Sequence, residues 1–325
     1  MSILLTGAAG FIGFHVAKAL LERGERVIGI DNLNEYYDVR LKRARLAQLE
    51  RFPGYAFYKV DVADRSEVLN IVERHKELRS IIHLAAQAGV RYSLENPYAY
   101  IDANVMGTLA MLEAARRVEK LTAFTYASSS SVYGANKRQP FSVDDRVDQP
   151  VSLYAATKRS CELLAYTYSH LYGLPATGLR FFTVYGPWGR PDMAAYLFTR
   201  AILAGEPIKV FNEGRMARDF TYIDDIVAGT IAAHDRPPAD AEGPPHRIYN
   251  LGNNRPEKLL DFIGIIEREL GRTARKELLP LQPGDVPESF ADIEASRRDL
   301  GFEPKTTIEV GLARFVEWYK RYHQI

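Results

Sequence analysis

The sequence predicts an α/β protein built on a doubly wound parallel sheet. Three observations carry that expectation. Short apolar runs of strand length alternate with amphipathic stretches over residues 3–181, and such alternation implies parallel strands covered by helices on both faces. A glycine-rich segment, Gly7-Ala8-Ala9-Gly10-Phe11-Ile12-Gly13, joins the first run to the first amphipathic stretch. An acid, Asp31, closes the second run. Residues 3–31 thus read strand, glycine turn, helix, strand, acid, a βαβ unit of the expected size.

The elements follow in order. Residues 3–6 form a strand and 14–23 a helix, with Val16, Leu20 and Leu21 at helical spacing and Gly24 ending it. Residues 26–30 form the second strand. Residues 56–60 form a strand ending at Asp61, and 66–77 a helix with Ser66 as its cap. The strand 80–84 leads into Ala85-Ala86-Gln87-Ala88-Gly89. One long helix is expected over 99–118, then a strand over 121–127 running into four serines, Ser128 to Ser131. A second long helix covers 153–171 and a strand 176–181. Beyond about residue 185 the pattern loosens: Pro187, Gly189 and Pro191 mark a loop, 193–204 reads as helix, 208–211 as strand, 236–245 as an exposed loop, and 259–270 and 307–322 as helices. The organisation expected is a dinucleotide-binding domain over 1–182, to which 220–252 returns, and a smaller α/β substrate lobe made mainly of 183–325.

Composition narrows the function. The chain has 325 residues, and its 42 Lys+Arg nearly balance 41 Asp+Glu, so no global field favours nucleic acid or an acidic membrane. The lone cysteine, Cys161, excludes an internal disulfide and a cysteine metal cluster; no metal is expected. No apolar stretch approaches the roughly 18 residues of a membrane span, and the first residues lack the basic region of a signal peptide. A soluble, cytoplasmic protein is expected.

In the glycine segment the spacing is GxxGxxG. Gly7 makes the tight turn, Gly10 lets backbone N–H groups approach a pyrophosphate, and Gly13 lets helix and strand pack closely. Asp31 suits the hydroxyls of an adenosine ribose and would repel a 2′-phosphate, so NAD is expected rather than NADP. Asp61 and Val62, at the end of the third strand, are candidates to flank the adenine.

Tyr154 and Lys158 lie four apart on a predicted helix and so share one face. An ammonium near a phenol stabilises the phenolate and makes a tyrosine useful as a base. The pair follows the serine cluster by some 25 residues. With these residues in view, the chain resembles the extended short-chain dehydrogenases/reductases that act on nucleotide sugars. Further carriers of the resemblance are His83 to Ala86, Asn104-Val105-Met106-Gly107-Thr108, residues 128–134 (SSSSVYG), 180–186 (RFFTVYG) and 218–225 (RDFTYIDD). Residues 31–38 (DNLNEYYD), 85–92 (AAQAGVRY) and 186–194 (GPWGRPDMA) look most like the UDP-glucuronate 4-epimerases.

The resemblance implies a Rossmann fold and a cofactor site that includes Phe11, Ile12, Asn32, Leu84, Ala85 and Ala86 besides the residues above. It implies that Tyr154 takes the proton of the sugar 4-hydroxyl, that Lys158 tunes it, and that Ser129, or else Ser130, hydrogen-bonds that hydroxyl. Related dehydratases and decarboxylases carry acids where this chain has Ser130 and Ser131, which disfavours elimination and decarboxylation. Interconversion of UDP-glucuronate and UDP-galacturonate through a 4-keto sugar is expected; a 4-epimerase for neutral UDP-sugars is the nearest alternative, and a non-catalytic NAD-binding sensor a more distant one. Arg190 and Thr183 are expected to grip the substrate carboxylate, since arginine offers fixed charge-assisted donors. At the nucleotide end the resemblance implicates the 208–211 strand with Val210 and Phe211, Arg218 for the diphosphate, and Asp285 for the ribose. Pairing of the two long helices across a two-fold axis implies a homodimer.

Overall fold

The computed structural model describes residues 2–239, 243–281 and 287–325. In chain order, six strands of the central sheet are β1 (Ser2–Thr6), β2 (Arg26–Asp31), β3 (Tyr55–Lys59), β4 (Leu78–His83), β5 (Ala123–Ser129) and β6 (Ala176–Phe181), and His246–Leu251 is the seventh. Across the sheet they run β3-β2-β1-β4-β5-β6 and then His246–Leu251, every neighbouring pair parallel. This is the Rossmann order. It reverses between β1 and β4, so a crevice opens at their C-terminal ends, where such sheets bind ligands.

Residues of β1 alternate between two cores, as a strand's period of two requires. Ile3 and Leu5 join Phe14, Val27 and Ile82 on one face. Leu4 joins Ile28, Ile30 and Ile81 on the other. The first helix, α1 (Phe11–Glu22), begins three residues before its expected start, directly out of the glycine turn and with no side-chain cap on Gly10.

A second helix, α2 (Val39–Leu49), was not expected from the sequence. Its buried residues are Leu41, Lys42, Arg45, Leu46 and Leu49, one helical face in which two of five positions are basic. Apolar periodicity alone therefore misses it. The third helix, α3 (Arg65–Arg74), is capped by Asp64, which accepts from the N–H groups of Ser66 and Glu67. Ser66 is not the cap; its own hydroxyl donates to Asp64 at 2.7 Å.

The single helix expected over 99–118 is interrupted. Short turns at Tyr92–Glu95 and Pro97–Tyr100 lead into a π-helical segment, Ile101–Met106, and only then an α-helix, Gly107–Ala115. The strand expected over 121–127 is displaced to Ala123–Ser129, so Ser128 and Ser129 end a strand while Ser130 to Tyr133 form a 3₁₀ turn.

Ala217–Tyr222 organises the second lobe. It pairs antiparallel with Pro256–Lys258 and parallel with Thr183–Tyr185 and with Glu288–Ser289. Phe220 stacks on Phe262 of the Leu259–Leu270 helix, ring centroids 4.1 Å apart. A separate parallel pair joins Pro207–Phe211 to Arg275–Leu279. Between the lobe's segments the chain returns to the main sheet through helix Ile223–Asp235, whose Asp235 pairs with Arg23 just beyond α1. Of the loop expected over 236–245, residues 240–242 lie outside the described residues.

Buried histidines make this fold sensitive to acid. Burial pushes His15, His234 and His246 down to about 4 and His83 to about 3, from an ordinary 6.5. Each is neutral in the fold and takes up a proton on unfolding below pH 6.5, so the unfolded chain binds more protons there and stability is lost as the pH is lowered. The melting temperature should be level above about pH 7 and decline progressively towards pH 4. A melting temperature that does not change between pH 7 and pH 5 would contradict this.

Candidate active site

At the crevice a cavity of about 240 Å³ is walled by the glycine turn, Asp31, the Leu84–Ala88 segment, Ser128, Ser129, Tyr154, Lys158 and Arg190, among others. The turn is cut to shape. Gly7 has φ +74°, and a Cβ there would sit 2.8 Å from the Ala85 nitrogen. A Cβ on Gly13 would come within 2.0 Å of the Gly7 carbonyl oxygen. The two glycines let α1 lie against the turn and aim its uncapped N–H groups into the crevice, where a phosphate group is favoured.

Asp31 is buried at the end of β2. Its carboxylate accepts from the backbone N–H of Ala9 at 3.1 Å and of Leu33 at 2.8 Å. Burial raises its pKa, against the pull of Lys42, those two N–H groups and Arg45. Asn32, Asp61 and Val62 share the wall, and Asn32 donates to Asp61 at 2.8 Å. All the residues read from the sequence as cofactor ligands line this one cavity.

The Tyr154–Lys158 side of the cavity is built by two elements. Ser152 caps helix Leu153–Tyr172, accepting from Ala155 N at 3.1 Å, which puts Tyr154 and Lys158 on its first two turns. The Lys158 ammonium donates to the Ala127 carbonyl at 3.0 Å, tying the helix to the end of β5. Tyr154 meets Tyr100 edge to face at 6.0 Å.

The serines divide by partner. Ser128 lines the cavity but its hydroxyl donates to Glu162 at 2.6 Å. Ser129 also lines it, accepting from the Ser131 N–H at 3.2 Å. Ser130 is not part of the wall. Below them His83 bridges Thr6 (2.7 Å) and Thr108 (3.2 Å), a buried neutral ring.

Of the two residues expected to meet the substrate carboxylate, Arg190 is in the wall, whereas Thr183 is not; its neighbours Phe182 and Val184 are. Arg190 grips Asp192 through Nε at 3.0 Å and Nη2 at 2.5 Å, and Asp192 accepts from the Tyr36 hydroxyl at 3.0 Å. Burial, then the Asp192 charge, pushes Tyr36 up to about 12, so this second cavity tyrosine keeps its proton. The nucleotide-end candidates stand apart. Val210 is buried on its strand, Phe211 lies 5.1 Å under the Arg91 guanidinium, Arg218 donates to the carbonyls of Ala217 and Pro287, and Asp285 is outside the described residues.

Two features escaped the sequence reading. Asn104, on the π-helical segment, accepts from Gln87 N at 2.8 Å and donates to Gln87 O and to Thr157 Oγ1. It thereby joins the cavity wall to the Tyr154 helix, and π-segments favour such sites. Its motif was visible in the sequence, but not the bulge that aims it. The other is Glu162, fully buried beneath Ser128. Arg180 donates to it twice, at 2.8 and 3.0 Å, and also to the Tyr133 hydroxyl. Tyr133 in turn donates to Asn250 at 2.7 Å. Burial opposes the ionised form of Glu162, but the Arg180 hydrogen bonds and charge outweigh it and hold the carboxyl below its usual range.

Fold and site together define a dinucleotide-binding enzyme with a Tyr–Lys centre at the switch point of the sheet. Residues 3–252 match the NAD dependent epimerase/dehydratase family, and the chain belongs to it. UDP-glucuronate 4-epimerase 4 of Arabidopsis thaliana is 49% identical over 334 residues, which span 99% of this chain and 76% of the plant protein. The UDP-glucuronic acid 4-epimerase of Bacillus cereus, solved with UDP-glucuronic acid and NAD, superposes with a TM-score of 0.90 at 34% identity, covering 99% of this chain and 100% of that one. The UDP-glucose 4-epimerase of Thermotoga maritima, solved with UDP-glucose, gives 0.88 at 30% identity, over 99% and 100% of the two chains.

Two outcomes follow from the geometry. Gly13→Ala should abolish dinucleotide binding in a calorimetric titration, because its Cβ has no space beside the Gly7 carbonyl; wild-type affinity would refute the close-packing argument. Arg180→Met leaves Glu162 buried without its main partner and should cost about 3–5 kcal/mol in urea unfolding. A loss below about 1 kcal/mol would mean that solvent reaches the carboxylate.

Proposed function

We propose that this chain is an NAD-dependent 4-epimerase interconverting UDP-glucuronate and UDP-galacturonate through a transient 4-keto sugar. The observation that carries the reading is the convergence of Tyr154, Lys158, Ser129 and Arg190 on one cavity with the glycine turn and Asp31. The cavity fits the dinucleotide on its own terms: a cradle that any Cβ at Gly13 would fill, open helix N–H groups, and a buried carboxylate for ribose hydroxyls. When bound, NAD supplies the hydride acceptor and donor for C4.

The protein's own groups handle the proton and the geometry. Tyr154 takes the proton of the sugar 4-hydroxyl and gives it back after the sugar has turned over. Lys158, anchored on the Ala127 carbonyl, lies one helical turn from Tyr154 and supports it in that role. Ser129 hydrogen-bonds the same hydroxyl; Ser128, committed to Glu162, holds the strand end. Neither Ser130 nor Ser131 offers a carboxyl for elimination of water.

Oxidation at C4 of glucuronate makes a β-keto acid, which loses CO₂ when its carboxylate bond aligns with the carbonyl π system. Arg190 holds the carboxylate out of that alignment, with Asp192 and Tyr36 fixing the guanidinium; Thr183, outside the wall, is left without that role. Arg218, Val210, Phe211 and Asp285 serve the UDP moiety in the 183–325 lobe. Among the described residues no helix is long and apolar enough to cross a membrane, and we place the enzyme in the cytoplasm. Exposed Leu163 and Tyr166 on the Tyr154 helix, with Leu94, Tyr98 and Ile101 on the preceding segment, form the face of a homodimer.

The test is incubation with UDP-glucuronate and chromatographic resolution of the 4-epimer from UDP-pentose. Tyr154→Phe should lower turnover by about 10²–10⁴-fold, and retained activity would overturn its role as the base. Arg190→Ala should slow epimerisation and raise the pentose fraction. UDP-glucose should be a much poorer substrate than UDP-glucuronate; equal turnover of the two would overturn the assignment of the acid sugar.

A further inference from the structure

Arg45 and Arg180 are the two fully buried arginines among the described residues, and Arg45, unlike Arg180, does not pair with an acid. Its guanidinium donates to four oxygens on three segments. Nη1 reaches the Ala9 carbonyl at 2.8 Å and the Tyr37 hydroxyl at 2.7 Å. Nη2 reaches the Trp188 carbonyl at 2.6 Å and, at 3.5 Å, that of Gly189. No carboxylate among the described residues lies within ion-pair distance, and Nε has no hydrogen-bond partner. A buried charge satisfied mainly by backbone carbonyls is costly unless the geometry it fixes matters.

The two backbones it joins are the two ends of the site. Ala9 lies inside the glycine turn, and its N–H is already held by Asp31. Trp188 is two residues before Arg190 and adopts φ +63°, left-handed for a residue with a bulky side chain. Such a conformation persists only where the surroundings over-determine it. Here Arg45 holds the Trp188 carbonyl, while Phe14 (5.7 Å), Trp318 (5.4 Å) and Tyr322 (5.2 Å) enclose the indole.

We propose that Arg45 is a positioning residue that latches the Trp188 turn to the dinucleotide turn and so sets where Arg190 meets the sugar. The proposal rests on the reading that Arg190 controls the substrate carboxylate. Without the latch the 4-keto acid reaches the aligned geometry more often. Its C5–carboxylate bond then breaks, CO₂ leaves, and the electron pair enters the carbonyl as an enolate. Protonation gives UDP-4-keto-pentose, and the two electrons removed from C4 remain on the cofactor. Arg45 touches no reacting atom and acts only through Arg190.

The test uses Arg45→Lys, with Tyr37→Phe as a milder variant that removes only one acceptor and keeps the charge buried. The protein has just two tryptophans, and both stand in the latch, so intrinsic emission reports its integrity with no ligand present. Arg45→Lys should shift that emission, leave NAD affinity by calorimetry little changed, slow epimerisation by about tenfold to a hundredfold, and raise the share of UDP-4-keto-pentose. Tyr37→Phe should move emission and pentose share in the same direction by less. Unchanged pentose share in both folded variants would overturn the latch, as would a turnover loss explained wholly by weaker NAD binding. Arg190→Ala separates the two claims. If it too leaves the pentose share unchanged, the Arg190 reading has failed; if it alone raises that share, only the latch has.

Discussion

A Cβ on residue 13 would overlap the carbonyl oxygen of residue 7, and most of the site depends on that missing atom. With glycine there, α1 starts against the end of β1 and points its free N–H groups into the switch-point crevice. Any larger residue would push the helix off the strand. The consequences run outward, because α1 also carries Phe14, which packs against Trp188, and lies against the Ile223–Asp235 helix that brings the chain back to the sheet. One steric allowance thus sets the cofactor cradle and the packing of the Trp188 turn beside it.

Around this cradle the protein buries charge to fix geometry. Glu162 and Arg180 sit almost out of solvent, joined by two hydrogen bonds and continued through Tyr133 to Asn250. The chain of contacts starts at Ser128 and ends on backbone carbonyls of Phe141 and Asp292, so it ties the serine strand to segments far away in sequence. Buried pairs of this kind contribute little net stability compared with apolar packing, but each partner is costly to remove. Arg45 repeats the device with carbonyls in place of an acid.

Two tyrosines of the cavity wall differ in surroundings, not in type. Tyr36 and Tyr154 both line the cavity. Tyr36 donates to Asp192, whose charge works with burial to keep its proton in place. Tyr154 has a lysine one turn on, whose ammonium is held by the Ala127 carbonyl at the end of β5. The same type of side chain thus donates to an acid in one setting and shares a helix face with a lysine in the other.

Local signals in the sequence determined the parallel sheet, the glycine turn, Asp31 and the Tyr154–Lys158 pair. Each is written in neighbouring residues: apolar periodicity, glycines at fixed offsets, two side chains one helical turn apart. Helix α2 was hidden because its buried face carries Lys42 and Arg45, and burial of a cation depends on partners distant in the chain. The interrupted 99–118 helix was read as continuous, since a π-bulge changes the aim of Asn104 without changing the apolar pattern. Four serines in a row offered no local means of choosing one. The structure separates them: Ser128 donates to Glu162, and Ser129, not Ser130, lines the cavity beside it. Tertiary structure alone could settle these points, because each turns on which distant carbonyl or carboxylate stands within hydrogen-bond reach.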